Sequence, residues 1–291
     1  MKLSYKQIKE LKKLLNLNER DRILLEQLNG LNKEYNKLIV AATKALEEAE
    51  VLYKVKNSKP TKRWLVYRFR EAFKGFLEDS LYEYLGESLY KIYNHEFNTQ
   101  AQLINIKKEI PKSKEELKKE FLEEKDYWGM SYKERIEKNH EELVISIISS
   151  YLLLDKDMDS LIKREKLTEQ IKRFSQKSAG VGFVTQATTV ESKARDDVVN
   201  KPTEVVNNNT EALSGIKETE LDNSPTQEET PVKPLKKDQL IAVWIAIKDD
   251  LTCDDCVSRN GLVYELDKLP KQKPPLHANC RCKLVYTYKD A

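Results

Sequence analysis

From Leu24 onward, apolar or small residues fall at Leu24, Leu28, Leu31, Tyr35, Leu38, Ala42, Ala45, Ala49 and Leu52. The steps alternate four and three. That is a heptad seam over about four repeats, and it predicts a long helix used as a coiled-coil or helical-hairpin arm. Two uses fit it equally: self-association through Leu24–Leu52, or packing inside its own domain. Asn18 followed by Asp21 is a plausible helix start. Gly30 inside the seam weakens the helix by ~1 kcal/mol against Ala. Ahead of the seam, Lys6 to Leu15 reads as a short amphipathic opener. Asn57-Ser58-Lys59-Pro60 breaks the pattern, and a new helix starts near Thr61. It runs towards Phe97 on Trp64, Phe73, Leu77, Leu81, Leu85, Leu89 and Ile92. Ser113 with Glu116 and Ser131 with Glu134 are capping boxes. The second opens the most apolar helix of the chain, on Ile136, Leu143, Ile147 and Leu154, which is the expected core. A shorter helix, Leu161 to Phe174, follows.

From about Gln176 to Lys237 the periodicity lapses. S-A-G-V-G-F-V-T-Q-A-T-T-V reads as a strand or collapsed loop, and Phe183 is the only aromatic of the stretch. Such a composition buries too little apolar surface to offset chain entropy, so a flexible linker is expected. Beyond it, short apolar runs at 239–247, 262–264 and 283–288 predict edges of a small sheet. The expected organisation is therefore an arm (1–60), a helical body (61–175), a linker (176–238) and a small α+β module (239–291).

Composition supports a mainly α fold. The 291 residues hold eight glycines and nine prolines, few for this length, with 34 % charged residues. A net charge of +3 identifies no partner, so local clusters carry that argument. The clearest cluster is Lys54, Lys56, Lys59, Lys62, Arg63, Arg68, Arg70 and Lys74, with Trp64, Tyr67 and Phe69 interleaved. It suits a phosphate backbone, an acidic protein surface, or a plain solvated face. The opening M-K-L-S-Y-K lacks an apolar h-region, so no secretory signal is expected. The longest apolar run, Leu143 to Leu154, is interrupted by serines and is shorter than the ~20 residues of a membrane span.

The chemistry gathers near the end. All four cysteines, Cys253, Cys256, Cys280 and Cys282, lie between Trp244 and Lys283 with His277 among them. C-x2-C, a gap of about twenty residues and H-x2-C-x-C are how a small segment surrounds one tetrahedral metal ion. Zinc is the expected ion, with five candidate ligands for four positions. Cys253 and Cys256 are the surest; two of His277, Cys280 and Cys282 complete the set. Reduced cysteines without metal, or disulfides formed on oxidation, remain the alternative. A module of about fifty residues is too small to rely on core burial alone, so a metal clamp would be its staple. His95 and His140 stand apart from any second ligand and read as packing or surface residues. No P-loop, H-E-x-x-H, G-x-S-x-G or deaminase H-x-E with P-C-x-x-C is present, so no catalytic residue is assigned and an enzyme is not expected.

The run Trp244, Asp249, Asp250, Thr252, Cys253, Cys256, Gly261, Tyr264, Pro275, His277, Asn279, Cys280, Arg281, Cys282 resembles the C-terminal signature of the Mu F-like minor head proteins of tailed phages. A weaker likeness lies at Tyr127-Trp128-Gly129 to Ile136 and at Asp157 to Leu161. The R-T-E helix usual in the family shortly before the tryptophan is not found, and the low-complexity linker stands in its place. The resemblance implies a virion component in few copies, bound to the portal or major capsid protein in the head interior and met in the host cytoplasm during assembly. It implies a role in head assembly and DNA packaging or ejection, with double-stranded DNA a possible contact and no membrane. Other classes stay open beneath it: a nucleic-acid-binding protein with a C-terminal zinc ribbon, or a toxin or nuclease.

Overall fold

The computed structural model describes residues 8–9, 12–13, 15, 17–56, 61–126, 129–153, 159–200, 239–246 and 252–289. In chain order the helices are α1 (Leu17–Lys56), α2 (Lys62–Phe76), α3 (Tyr82–Leu103), α4 (Lys114–Glu123), α5 (Tyr132–Leu153), α6 (Ser160–Phe174) and α7 (Gly180–Asn200). Then come β1 (Leu240–Ile245), the short α8 (Asp254–Arg259), β2 (Val263–Glu265) and β3 (Lys283–Tyr288). Single π turns, Leu77–Leu81 and Ser175–Ala179, join α2 to α3 and α6 to α7 without breaking the rod. Mainly helix with a small C-terminal sheet is what the patterning predicts.

The heptad seam forms one helix of 40 residues, about 60 Å long at 1.5 Å per residue. Of the two uses open to it, the structure shows packing within the molecule. Leu31, Tyr35, Leu38, Ala42, Ala45 and Ala49 are buried in the main core beside Phe69, Phe73, Ile147 and Leu167. Antiparallel neighbours are fixed by side-chain pairs: Arg68 to Glu48, Arg70 to Glu141, Arg164 to Glu47 (3.1 Å) and Gln170 to Ser150 (2.6 Å). Helices α1, α2, α5 and α6 thus form a four-helix layer. Gly30 has a packing reason: an added Cβ would lie 2.1 Å from the Tyr84 hydroxyl, which donates to the Gln27 carbonyl. Both predicted capping boxes form; Ser113 accepts from the Glu116 amide, and Ser131 from that of Glu134.

His140 sits in that layer, among Tyr35, Phe73, Phe76 and Phe174. Its Nδ1 is 2.8 Å from the Ile136 carbonyl, an acceptor, so Nδ1 carries the proton and Nε2 accepts from the Tyr35 hydroxyl at 3.0 Å. Burial lowers its pKa to about 4. A depressed histidine stabilises the fold above its unfolded pKa, and that stability drains away as pH falls towards the folded value. Urea titrations should therefore show a loss of about 3 kcal/mol between roughly pH 6.5 and 4. His140→Gln should flatten this segment of the profile; an unchanged slope would mean the imidazole is not buried neutral.

The first part of the stretch expected as linker, 176–200, is helical instead. Residues 180–200 are helix α7, because Phe183, Ala187, Val190, Ala194 and Val198 form a buried stripe at steps of four and three. Small residues there let the helix pack closely on α3 and the sheet, so few large apolar groups are needed. The remainder of the stretch, 201–238, lies outside the described residues.

The sheet runs β2-β1-β3, all antiparallel, with Ala242 opposite Tyr264 on one side and Tyr286 on the other. Its central strand is buried on both faces. Leu240, Ala242 and Trp244 join the main core, while Ile241, Val243 and Ile245 pack with Val285 against Ile8 and Leu15. The outer edge of β3 is closed by α3. The Gln100 amide donates to the Tyr286 carbonyl (2.7 Å) and accepts from its N–H (3.3 Å), standing in for a further strand.

Candidate metal centre

Two loops bring the cysteines together. The first is the start of α8: Cys253 is its N-cap residue and Cys256 lies one turn in, so both sulfurs face the same side. This knuckle is tied to β1. The Gly261 N–H donates to the Trp244 carbonyl (2.7 Å), the Ala246 N–H donates to Asn260 Oδ1 (2.9 Å), and Arg259 lies over the Trp244 ring. Gly261 takes φ 82°, which a side chain would resist. The second loop is a turn in which the Cys280 N–H donates to the His277 carbonyl (3.1 Å), with Asn279 at φ 58°. Two threonines of α7 hold it. Thr188 donates to the Cys280 carbonyl and Thr185 accepts from the Asn279 N–H, both at 2.8 Å.

The result is two donor triads sharing one sulfur: Cys253, Cys256, His277, and Cys256, Cys280, Cys282. His277 Nε2 is 3.1 Å from Cys253 Sγ and 3.2 Å from Cys256 Sγ; Cys256 and Cys280 sulfurs are 3.9 Å apart. All five predicted donors therefore converge. Cys256, Cys280 and Cys282 are buried, while Cys253 is exposed. Burial pushes the Cys256 thiol up to about 12. The Cys282 thiol donates to Cys280 and holds it down at about 5, and the same pairing raises Cys282. Without a cation the cluster cannot ionise all its thiols; a bound cation would let them, releasing protons. Soft sulfur with one imidazole nitrogen is a donor set that fits zinc.

The sequence reading missed what pins this module to the helices. Beneath it lies a buried charge cluster. Glu96 of α3 receives Arg195 of α7 at 2.6 Å and Lys283 of β3 at 2.7 Å. Glu191 of α7 receives Arg20 of α1 at 2.7 Å, with Lys283 at 3.7 Å. Each is buried. Burial alone would push the Glu96 carboxyl up, but Lys283 and Arg195 overcome it and hold it down at about 2. Residues so far apart in sequence leave no local signal; only the helical stripe of α7 would have shown that Glu191 and Arg195 point inward with Phe183 and Val198.

The predicted basic cluster divides. Arg68 and Arg70 are spent on Glu48 and Glu141. Lys54, Lys62, Arg63 and Lys74 are exposed, and Lys59 lies outside the described residues.

Residues 162–285 match the family described as Phage Mu protein F like protein. The chain carries a Mu F-like region. It covers most of α6, then α7, β1, β2, the start of β3 and both cysteine loops, less than half of the chain. No curated protein and no solved structure matches the chain. No helix among the described residues is long and apolar enough to cross a membrane.

Proposed function

We propose that this Mu F-like protein is a minor head protein of a tailed phage, bound at the portal or inner capsid and acting in head assembly and DNA packaging or ejection. The observation that carries this is the continuous match over α6, α7 and the cysteine module. The role is structural rather than enzymatic, exercised in the virion and, during assembly, in the host cytoplasm. Deleting the gene from its phage should abolish infectious particles, with complementation restoring them. Normal titres from the deletion would overturn the reading.

The cysteine module takes one zinc ion, held by Cys253, Cys256, His277 and Cys280. Ligands around a tetrahedral zinc lie about 3.5–3.8 Å apart, given bonds of about 2.0–2.3 Å. The 3.1, 3.2 and 3.9 Å spacings lie near that range, and a bound ion would draw Cys280, which groups with Cys256 and Cys282, towards Cys253 and His277. Four protein ligands leave no place for water, so the ion staples rather than catalyses. Cys282→Ser should keep one zinc per chain by inductively coupled plasma mass spectrometry; loss of the metal would make Cys282 a ligand. A zinc ribbon gripping nucleic acid is the weaker reading, because Asp254 and Asp255 stand exposed on the first loop.

A further inference from the structure

A cavity of about 370 Å³ lies where α1, α3, α5, α7 and the second cysteine loop meet, a size within the range of small-ligand sites. Its floor is apolar: Leu31, Tyr35, Leu81, Leu85 and Ile136 are buried there, with Phe174 half-buried beside them. The polar groups of the floor are spent within the fold. The Tyr35 hydroxyl donates to His140 Nε2 (3.0 Å), His140 Nδ1 to the Ile136 carbonyl (2.8 Å) and the Gln186 amide to the Phe121 carbonyl (2.8 Å). One group is left open. Tyr132 is only 5 % exposed and lines the cavity, yet its hydroxyl has no hydrogen-bond partner among the described residues. A polar group so enclosed costs free energy until something bonds to it. The charged residues of the wall are Arg135 and Lys177; no aspartate or glutamate lines it. Arg135 is held by Asp126, which stands outside the lining. Lys177 is exposed and pairs with no carboxylate among the described residues.

We infer that this cavity binds a small amphipathic anion, an apolar body of roughly ten heavy atoms carrying one carboxylate or phosphate head. The body covers the floor, where nothing polar is left to bond. The head meets Lys177 and Arg135 and accepts from the Tyr132 hydroxyl. A hydrocarbon would leave that hydroxyl unbonded, and an amphipathic cation would meet Arg135 and Lys177 as a like charge. The inference rests on the cavity alone and stands apart from the head-protein reading.

The test is isothermal titration calorimetry on the intact, zinc-loaded protein with four probes: octanoate, octyl phosphate, 1-octanol and octylammonium. At least one of the two anions should bind at one per chain, at least tenfold tighter than the alcohol or the amine, and the tighter anion names the head group. Lys177→Glu should weaken it at least tenfold. Gly182→Leu should do the same by filling the cavity, since a Cβ there lies 3.8 Å from the Tyr132 ring. Tyr132→Phe should weaken it at least threefold with thermal unfolding unchanged, because the hydroxyl has no partner to lose. No saturable binding of either anion would overturn the inference, including the case in which the chain itself closes the mouth. So would equal affinity for 1-octanol, or binding indifferent to Lys177→Glu and Gly182→Leu.

Discussion

Cys256→Ser is expected to empty the metal site. Cys256 is the one donor present in both triads, so no choice of four ligands avoids it except by using the remaining three thiols and His277 across sulfurs held further apart. Zinc per chain should drop from one to below a tenth. A structural zinc contributes on the order of 10 kcal/mol in small modules. Here part of the module is independently fastened by Gln100, Thr188 and the Glu96–Lys283 pair. The loss should therefore appear as local release rather than global collapse. Trypsin should cut between Arg259 and Lys283 in the variant and not in the parent, while the helical circular dichroism stays within a tenth of the parent. Retained zinc and an uncut module would contradict the shared-donor geometry.

Glu96→Ala is expected to be among the most damaging single changes in the helical body. It strands the buried Arg195 cation and leaves buried Lys283 with Glu191 alone, at 3.7 Å. Arg195 has no fallback among the described residues, where its Nε and Nη2 atoms find no hydrogen-bond partner. Breaking a buried pair by removing one side costs about 3–5 kcal/mol. Removing Lys268, whose pairing with Glu265 is exposed and screened by water, should leave the urea midpoint essentially where it is in the parent. Glu96→Ala combined with Lys283→Met should recover part of the loss, because fewer charges are then left unpaired. A drop under about 1 kcal/mol for Glu96→Ala, by urea unfolding, would mean water reaches the cluster and the burial is not real. The acid limbs separate the two buried titrating sites. His140 acts between roughly pH 6.5 and 4, whereas Glu96, lowered to about 2, withdraws its contribution below the ordinary carboxylate range.

What could be read from sequence follows from range. The α1 seam, the capping boxes and the cysteine spacing are local patterns, and each appears as expected. Helix α7 does not stand out in the sequence because its buried stripe uses Ala187, Val190 and Ala194, small groups that register weakly in a hydropathy pattern, and because Gly180 and Gly182 open it. The charge cluster was illegible for another reason. Arg20, Glu96, Glu191 and Lys283 look like ordinary solvated charges until the topology stacks four elements on one another. The basic cluster was legible as charge but not as geometry. Arg68 and Arg70 are neutralised within the fold, by Glu48 and Glu141.

The central claim, a minor head protein, is tested most directly by quantitative mass spectrometry of purified DNA-filled particles of the phage that encodes the chain, with the portal protein as internal standard. This chain should be present in the particle at a few copies per portal ring. Its absence from both filled particles and procapsids would contradict the account.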